Sequence, residues 1–338
     1  MPFKISVMGA PLLHDLACVV HLHSTHSDGT GTVAQIVSAG QRAGVDVVIL
    51  TDHNTRAGAG EEGWHGTVLL LVGEEDTPGK SDHTLLLGPD LRFAAHPFSR
   101  GSERFSRFGD GMPHTGLASP DLTGIELWSF VTDTAERVRS VREGLLFAAA
   151  PLRVIDHPPE RNMVEWDRMC RSRRVVALGG LDAHQIGVRW RGRVPLRLMG
   201  YARSFRQLRT HVLCSALPTG SLEHDRTLVY DALREGSCYI AVDALAPARG
   251  FGFWGDGDVH MGAEAPFDGQ SLHVRLPRPA SELRLLRNGA VVESVRGAAL
   301  DVPASGAGTY RVEARLEHRG RALTWILSNP VYLRAATG

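Results

Sequence analysis

The chain has 338 residues, enough for one large domain or for a large domain and a small one. Its 37 basic and 37 acidic residues balance to a formal net charge of zero, which argues against a nucleic-acid-binding protein and against attachment to anionic membranes. No CxxC pair is present, which predicts free thiols in a reducing compartment, at Cys18, Cys170, Cys214 and Cys238. The first residues show no signal-peptide pattern, and no apolar run reaches the roughly 18 residues of a membrane span, so we expect a cytoplasmic protein.

The most informative stretch is HLHSTHSDG, which follows an apolar run from Leu16 to Val20. If the run continues as a strand, His21 and His23 point to the same face, because side chains alternate along a strand. Asp28, in a turn that Gly29 permits, brings a carboxylate back over the strand end. Two imidazoles and a carboxylate at one strand end are typical of part of a metal site.

The same pattern repeats along the chain. A helix with Thr32 as N-cap and Gly44 near its C-cap leads to the apolar run Val45–Leu50, which ends at TDHN and is typical of a parallel strand buried on both faces. A capped helix is expected from Asp133 to about Ala150. Further strands with neighbouring polar residues are expected at 68–72 before Glu75, 84–87 after His83, 91–95 before His96, 124–128 with Glu126, and 175–178 before Asp182 and His184.

Polar, metal-competent residues at successive strand ends indicate an α/β barrel, because the carboxyl ends of parallel strands meet at one face. The candidate ligands are His21, His23, His53, His83, His96, His184, Asp28, Glu75 and Asp182. Nine ligands exceed the four that one zinc ion usually takes, so two or three ions are expected. The lack of cysteine among them favours Mn²⁺, Zn²⁺ or Fe²⁺ without choosing between them. Three carboxylates against two or three divalent ions leave a positive site that attracts phosphate.

The chain changes character near Phe251. Helical periodicity stops, short alternating segments follow, and Asn288–Gly289 between two such segments predicts a hairpin. We expect residues 1–245 to form the barrel, completed by a helix at 228–234 and a strand at 237–242, and residues 246–338 to form an antiparallel, immunoglobulin-like β-sandwich. For the sandwich, packing on the barrel or association into a homo-oligomer is favoured over ligand binding.

The ordered motifs HxHxxxSDG, TDHN, GxE, HP and GGxDAH resemble those of the PHP (polymerase and histidinol phosphatase) family of metallohydrolases. The closest resemblance is to the branch that carries a C-terminal β-sandwich and includes a carbamate insecticide hydrolase. The resemblance implies a distorted (β/α)₇ barrel with a trinuclear site. By motif, a first metal would be held by His21, His23, Glu75 and Asp182, a second by Glu75, His83 and His96, and a third by Asp28, His53 and His184. The GxE spacing selects Glu75 over its neighbour Glu74, and Leu181 stands where the family usually has serine.

These observations predict a metal-dependent hydrolase in which a metal-bridging hydroxide attacks small phosphomonoesters or phosphodiesters. Asp182 and His184 would act at the centre, with His184 or a loop histidine assisting the leaving alcohol, and Arg100 would clamp phosphate. Two alternatives stay open: hydrolysis of a carbamate, ester or amide at the same site, and a metal-bound but inert binding module. Nuclease activity is disfavoured by the zero net charge.

Overall fold

A strand–helix–strand unit begins the fold in the computed structural model, which describes residues 13–101, 111–190, 193–257 and 259–335. Strand β1 (His14–Val20) and helix α1 (Val33–Ala43) lead to strand β2 (Val47–Leu50), which is parallel to β1. The Thr32 hydroxyl accepts from the Gln35 amide while the Gln35 side chain accepts from the Thr32 amide, and Gly44 ends the helix at φ 69°. This reciprocal cap and left-handed glycine confirm the predicted helix.

The first part of the chain continues through short strands and helices. They are β3 (Gly63–His65), β4 (Val68–Val72), β5 (Glu74–Asp76), β6 (Thr84–Gly88), β7 (Leu91–Ala94), β8 (Gly124–Ser129), α2 (Phe130–Arg137), α3 (Val141–Ala149), α4 (Glu160–Ser172), β9 (Val176–Gly180), β10 (Ile186–Trp190), β11 (Arg193–Met199), α5 (Tyr201–Ser204), β12 (Arg209–Cys214), α6 (Leu222–Glu235) and β13 (Cys238–Ala241).

Two sheets from this part meet at their carboxyl ends. One runs β13-β12-β1-β2-β4-β3 and the other β5-β6-β7-β8-β9. Isolated bridges from Leu22 to Ala183 and from His53 to Glu75 join them, so that the loops after β1, β2, β5 and β9 lie around one opening. Strands β1, β2 and β4 are parallel, as are β7, β8 and β9, whereas β5, β6 and β7 are antiparallel neighbours. The chain is therefore a mixed α/β protein, and the distorted (β/α)₇ barrel remains a prediction.

The second part is built from antiparallel strands with one parallel pair. Its elements are β14 (Gly252–Gly255), β15 (Val259–His260), β16 (Glu264–Pro266), β17 (Ser271–Arg287), β18 (Ala290–Pro303), β19 (Gly308–His318), β20 (Arg321–Ser328) and β21 (Val331–Arg334). Asn288 and Gly289, both at positive φ, form the predicted turn between β17 and β18. Strand β20 pairs with β13, so one sheet of fourteen strands, counted over the described residues, continues from the first part into the second. The boundary after residue 245 stays a prediction.

The structure corrects the expected helix from Asp133 to about Ala150. Helix α2 ends at Arg137, and a new helix, α3, begins after Ser140, whose side chain accepts from the Glu143 amide. Serine favours the N-cap because its hydroxyl bonds to free backbone amides, and here it starts a second helix instead of extending the first. Among the described helices, none has the length and hydropathy needed to cross a bilayer.

Candidate metal centre

The predicted ligands converge at the opening between the two sheets. His21 and His23 follow β1, His53 follows β2, and Glu75 lies within β5. The other members are His83 before β6, His96 after β7, Asp28 in the loop before α1, and Asp182 and His184 after β9. All nine residues predicted as ligands thus lie at one end of the strands. His21, His53, His96 and Asp182 follow parallel strands, as expected, whereas His83 precedes β6, which is antiparallel to β7.

Three ligands reach the centre through unusual backbone turns rather than through strand alternation. His21, His96 and Asp182 have φ values of 65°, 31° and 48°, a region that costs non-glycine residues about 1 kcal/mol or more. Strand β1 ends at Val20, so the expectation that a continuing strand places His21 and His23 on one face is wrong in its mechanism. Their Nε2 atoms nevertheless face the same two carboxylates, because the chain turns at His21.

Gly29 is required by the close return of this first loop. A Cβ at residue 29 would lie 2.1 Å from the His23 carbonyl oxygen. The loop is also held by Asp52, which accepts from the Ser24 amide at 2.7 Å and from the Ser27 hydroxyl at 2.6 Å. Asp52 therefore shapes the loop that carries Asp28.

Glu75 lies at the middle of the cluster with a side chain 1 % exposed. Its Oε2 is 3.2 Å from His21 Nε2, 3.3 Å from His23 Nε2 and 3.2 Å from His53 Nδ1. Its Oε1 is 3.0 Å from His83 Nδ1 and 3.2 Å from His96 Nε2. The two oxygens thus serve two sets of imidazoles, which is the arrangement expected of a carboxylate that bridges two cations.

Asp182 and Asp28 supply the other carboxylates. Asp182 Oδ1 lies 3.6 Å from His21 Nε2 and 3.5 Å from His23 Nε2, and its Oδ2 accepts from the Thr132 hydroxyl. Asp28 Oδ1 lies 2.9 Å from His184 Nε2 and 3.8 Å from His53 Nε2. Asp28 and His53 form the more exposed side of the centre, since their side chains are 43 % and 29 % exposed.

The donor atoms fit divalent cations. Three groups have ligand atoms within 4.8 Å of one another: His21, His23 and Asp182; His21, Glu75 and His96; and His23, Asp28, His53 and His184. Metal bonds of about 2.0–2.2 Å in a tetrahedral site place neighbouring ligand atoms about 3.3–3.6 Å apart, slightly longer than the separations of 3.0–3.3 Å around Glu75. Among the described residues, Nε2 of His23 and Nδ1 of His53 are buried and have no hydrogen-bond partner, as expected of nitrogens that face a cation.

The electrostatics favour positive charge at the same place. Burial opposes a charge on His23, but Asp182 and Glu75 outweigh it and raise the pKa of His23 to about 9. Burial likewise opposes ionisation of Glu75, yet the surrounding imidazoles hold its pKa well below the usual value. On the open side, burial lowers the pKa of His53 to about 4, which leaves a neutral imidazole able to bind a metal at neutral pH.

Arg100 contacts Glu136 rather than a candidate ligand. Its backbone amide donates to Glu136 Oε1 at 2.6 Å and its side chain is exposed. The segment from Phe98 to Pro120, which carries Arg100, is polar and rich in glycine and is expected to form a loop that sets specificity, and its residues 102–110 lie outside the described residues. The role of Arg100 as a phosphate clamp stays a prediction.

Sequence reasoning missed two supporting residues. Glu126, which the sequence places in the strand at 124–128, is fully buried and contacts His21 Nδ1 at 2.9 Å and the His96 amide at 2.7 Å. The Tyr201 hydroxyl donates to the His23 carbonyl at 2.7 Å and accepts from the Gly31 amide. A buried glutamate at a strand end was the available signal for Glu126, whereas nothing local marks Tyr201.

The chain was compared with protein families, with curated proteins and with solved structures. No protein-family model matches the chain, and no curated protein matches it in sequence. Among solved structures, the chain is similar to a two-domain protein from Bacteroides vulgatus ATCC 8482 described as containing a predicted PHP-like metal-dependent phosphoesterase. The two are 15% identical, the match covers 97% of this chain and 99% of that chain, and the TM-score is 0.42. This chain resembles a PHP-like protein. The assignments for the site rest on its own side chains, and the carbamate-hydrolase branch stays a prediction.

Proposed function

We propose that this chain is a PHP-type, metal-dependent phosphoesterase that hydrolyses small phosphomonoesters or phosphodiesters. The observation that carries the proposal is the position of Glu75 between two sets of imidazoles, with the group of Asp28, His53 and His184 beside it. The ligand sets are those named from the sequence, and Mn²⁺, Zn²⁺ and Fe²⁺ are the candidate ions. The barrel at residues 1–245 and the sandwich at residues 246–338 belong to the same proposal.

The charge of the centre supports a phosphorylated substrate. Glu126 adds a fourth carboxylate to Asp28, Glu75 and Asp182, and both of its oxygens accept hydrogen bonds. Four carboxylates leave no net charge with two divalent ions and two positive charges with three. Since phosphate carries one or two negative charges, a centre holding three ions matches this substrate better than one holding two.

The candidate ligands differ in burial, and this difference separates those that would hold the cations from those that a substrate would meet first. Bound cations would polarise phosphoryl oxygens and lower the pKa of a bound water. His21, His23 and Glu75 are buried, whereas Asp28 and His53 are partly exposed, so a substrate would approach from their side.

His184 is proposed as a ligand of the third metal, and its expected part in assisting the leaving alcohol stays a prediction. Its Nδ1 donates to the Asp182 carbonyl at 3.0 Å, which directs Nε2 toward Asp28.

A substrate panel tests the proposal. Chelator-treated protein is reloaded with Mn²⁺, Zn²⁺ or Fe²⁺ and assayed with p-nitrophenyl phosphate, bis-p-nitrophenyl phosphate and aryl carbamates. We expect metal-dependent release of nitrophenol from a phosphate ester. Turnover of the carbamates alone would assign the same centre to carbonyl chemistry, and bound metal without turnover of any substrate would favour an inert binding module.

A further inference from the structure

Glu126 contacts two candidate ligands on opposite sides of Glu75. Its Oε1 lies 2.9 Å from His21 Nδ1, and its Oε2 accepts from the His96 backbone amide at 2.7 Å. The far nitrogen of His21 faces Glu75 Oε2, and Nε2 of His96 faces Glu75 Oε1. One buried carboxylate therefore contacts one residue in each of the two sets that share Glu75: the ring of His21 and the backbone amide of His96.

Both of these histidines have a backbone conformation that surrounding contacts must stabilise. His21 and His96 have positive φ values, a conformation that persists only where surrounding contacts hold it. Glu126 supplies such a contact to the ring of one and to the amide of the other. An imidazole that donates Nδ1–H to a carboxylate keeps its lone pair on Nε2, where a cation can be bound.

The lack of a side chain at Gly180 leaves space for the Glu126 carboxylate. A Cβ at residue 180 would lie 1.9 Å from Glu126 Oε1 and 3.1 Å from the His21 Cβ. Gly180 does not have a positive φ, so glycine is not required there by backbone conformation. The preceding Gly179 faces apolar groups instead, where a Cβ would lie 2.7 Å from Ile240.

We propose that Glu126 is the positioning residue of the metal centre, which orients His21 and His96 for cations without binding a cation itself, and that Gly180 leaves room for it. This inference rests on the proposed function, because it needs a centre that binds divalent ions. Glu126 is absent from the three groups of ligand atoms found in the described residues, which fits a supporting role.

Three variants test the proposal. Glu126→Gln removes the charge while keeping the shape, and Gly180→Ala displaces the carboxylate without removing it. Gly179→Ala is the matched control, since it adds the same methyl group to the next residue of β9 but crowds Ile240. Zinc affinity is measured by competition with a chromophoric chelator, and folding is checked by circular dichroism. We expect zinc affinity to fall about 10- to 100-fold in Glu126→Gln and in Gly180→Ala, and to stay unchanged in Gly179→Ala.

A second readout is independent of affinity and turnover. In zinc-loaded wild-type protein with ¹⁵N-labelled histidine, His21 should carry a proton on Nδ1, and this signal should shift in Glu126→Gln and Gly180→Ala. Wild-type zinc affinity in both folded variants, or a His21 Nδ1 without a proton in the wild type, would overturn the role of Glu126. A wild-type protein that binds no divalent ion would overturn the proposed function itself.

Discussion

Glu75 is the side chain on which the centre converges, and Glu75→Gln tests that arrangement directly. Five imidazole nitrogens lie 3.0–3.3 Å from its two oxygens, those of His21, His23, His53, His83 and His96. Glutamine keeps the volume of the side chain but removes its charge and replaces one oxygen with an amide donor. A donor cannot bind a cation, so one of the two sets of imidazoles loses its shared ligand.

The magnitude follows from the number of ligands that remain. Without Glu75, the set around Oε1 keeps only His83 and His96. Loss of a residue that only hydrogen-bonds to a metal ligand lowers metal affinity about 10- to 100-fold. Loss of a bridging ligand should therefore lower metal affinity by more than about 100-fold. We therefore expect Glu75→Gln to lose at least one bound divalent ion per chain.

Glu74→Gln is the matched control, because Glu74 is the adjacent residue of β5 and makes no contact with these imidazoles among the described residues. Each purified protein is loaded with Mn²⁺ or Zn²⁺, freed of excess ion by gel filtration and submitted to elemental analysis. Glu74→Gln should match the wild type. Equal metal content in Glu75→Gln and the wild type would refute a bridging role for Glu75.

Three further predictions concern activity, metal and pH. Asp182→Asn and His53→Ala should each lower metal-dependent turnover by about 100-fold or more while circular dichroism shows the fold retained, and full activity in either would contradict the ligand assignment. Adding Mn²⁺ to chelator-treated protein at about 100 times its Kd should stabilise the fold by about 2.7 kcal/mol per site, and a melting temperature that does not respond would argue against a metal centre. His211 is buried between Asp15 and Asp243, and although burial opposes its charge, these carboxylates raise its pKa to about 9. The stability that charged His211 contributes is therefore complete below pH ~6.5 and is lost as the pH rises through ~9. In urea unfolding, the difference in free energy of unfolding between the wild type and His211→Gln should shrink by up to roughly 3 kcal/mol from pH 6 to pH 10. A constant difference would contradict this reasoning.

Local sequence signals determined several elements without the tertiary structure. Thr32 and Gly44 mark the ends of α1 because side-chain caps and left-handed glycine act within one turn of backbone. Asn288 and Gly289 mark the turn between β17 and β18 for the same reason. The convergence of the ligands that follow β1, β2, β7 and β9 was expected from strand order, because the carboxyl ends of parallel strands share one edge.

The tertiary structure alone decided how that convergence is achieved. His21 reaches Glu75 through a positive φ and a hydrogen bond to Glu126, a residue 105 positions away. Glu75, rather than Glu74, faces the imidazoles because the bridge to His53 sets its register. The family spacing had selected Glu75, but neither these contacts nor the partnership with Glu126 follows from the sequence alone. A buried carboxylate acquires its partners only when strands distant along the chain come together and exclude water from between them.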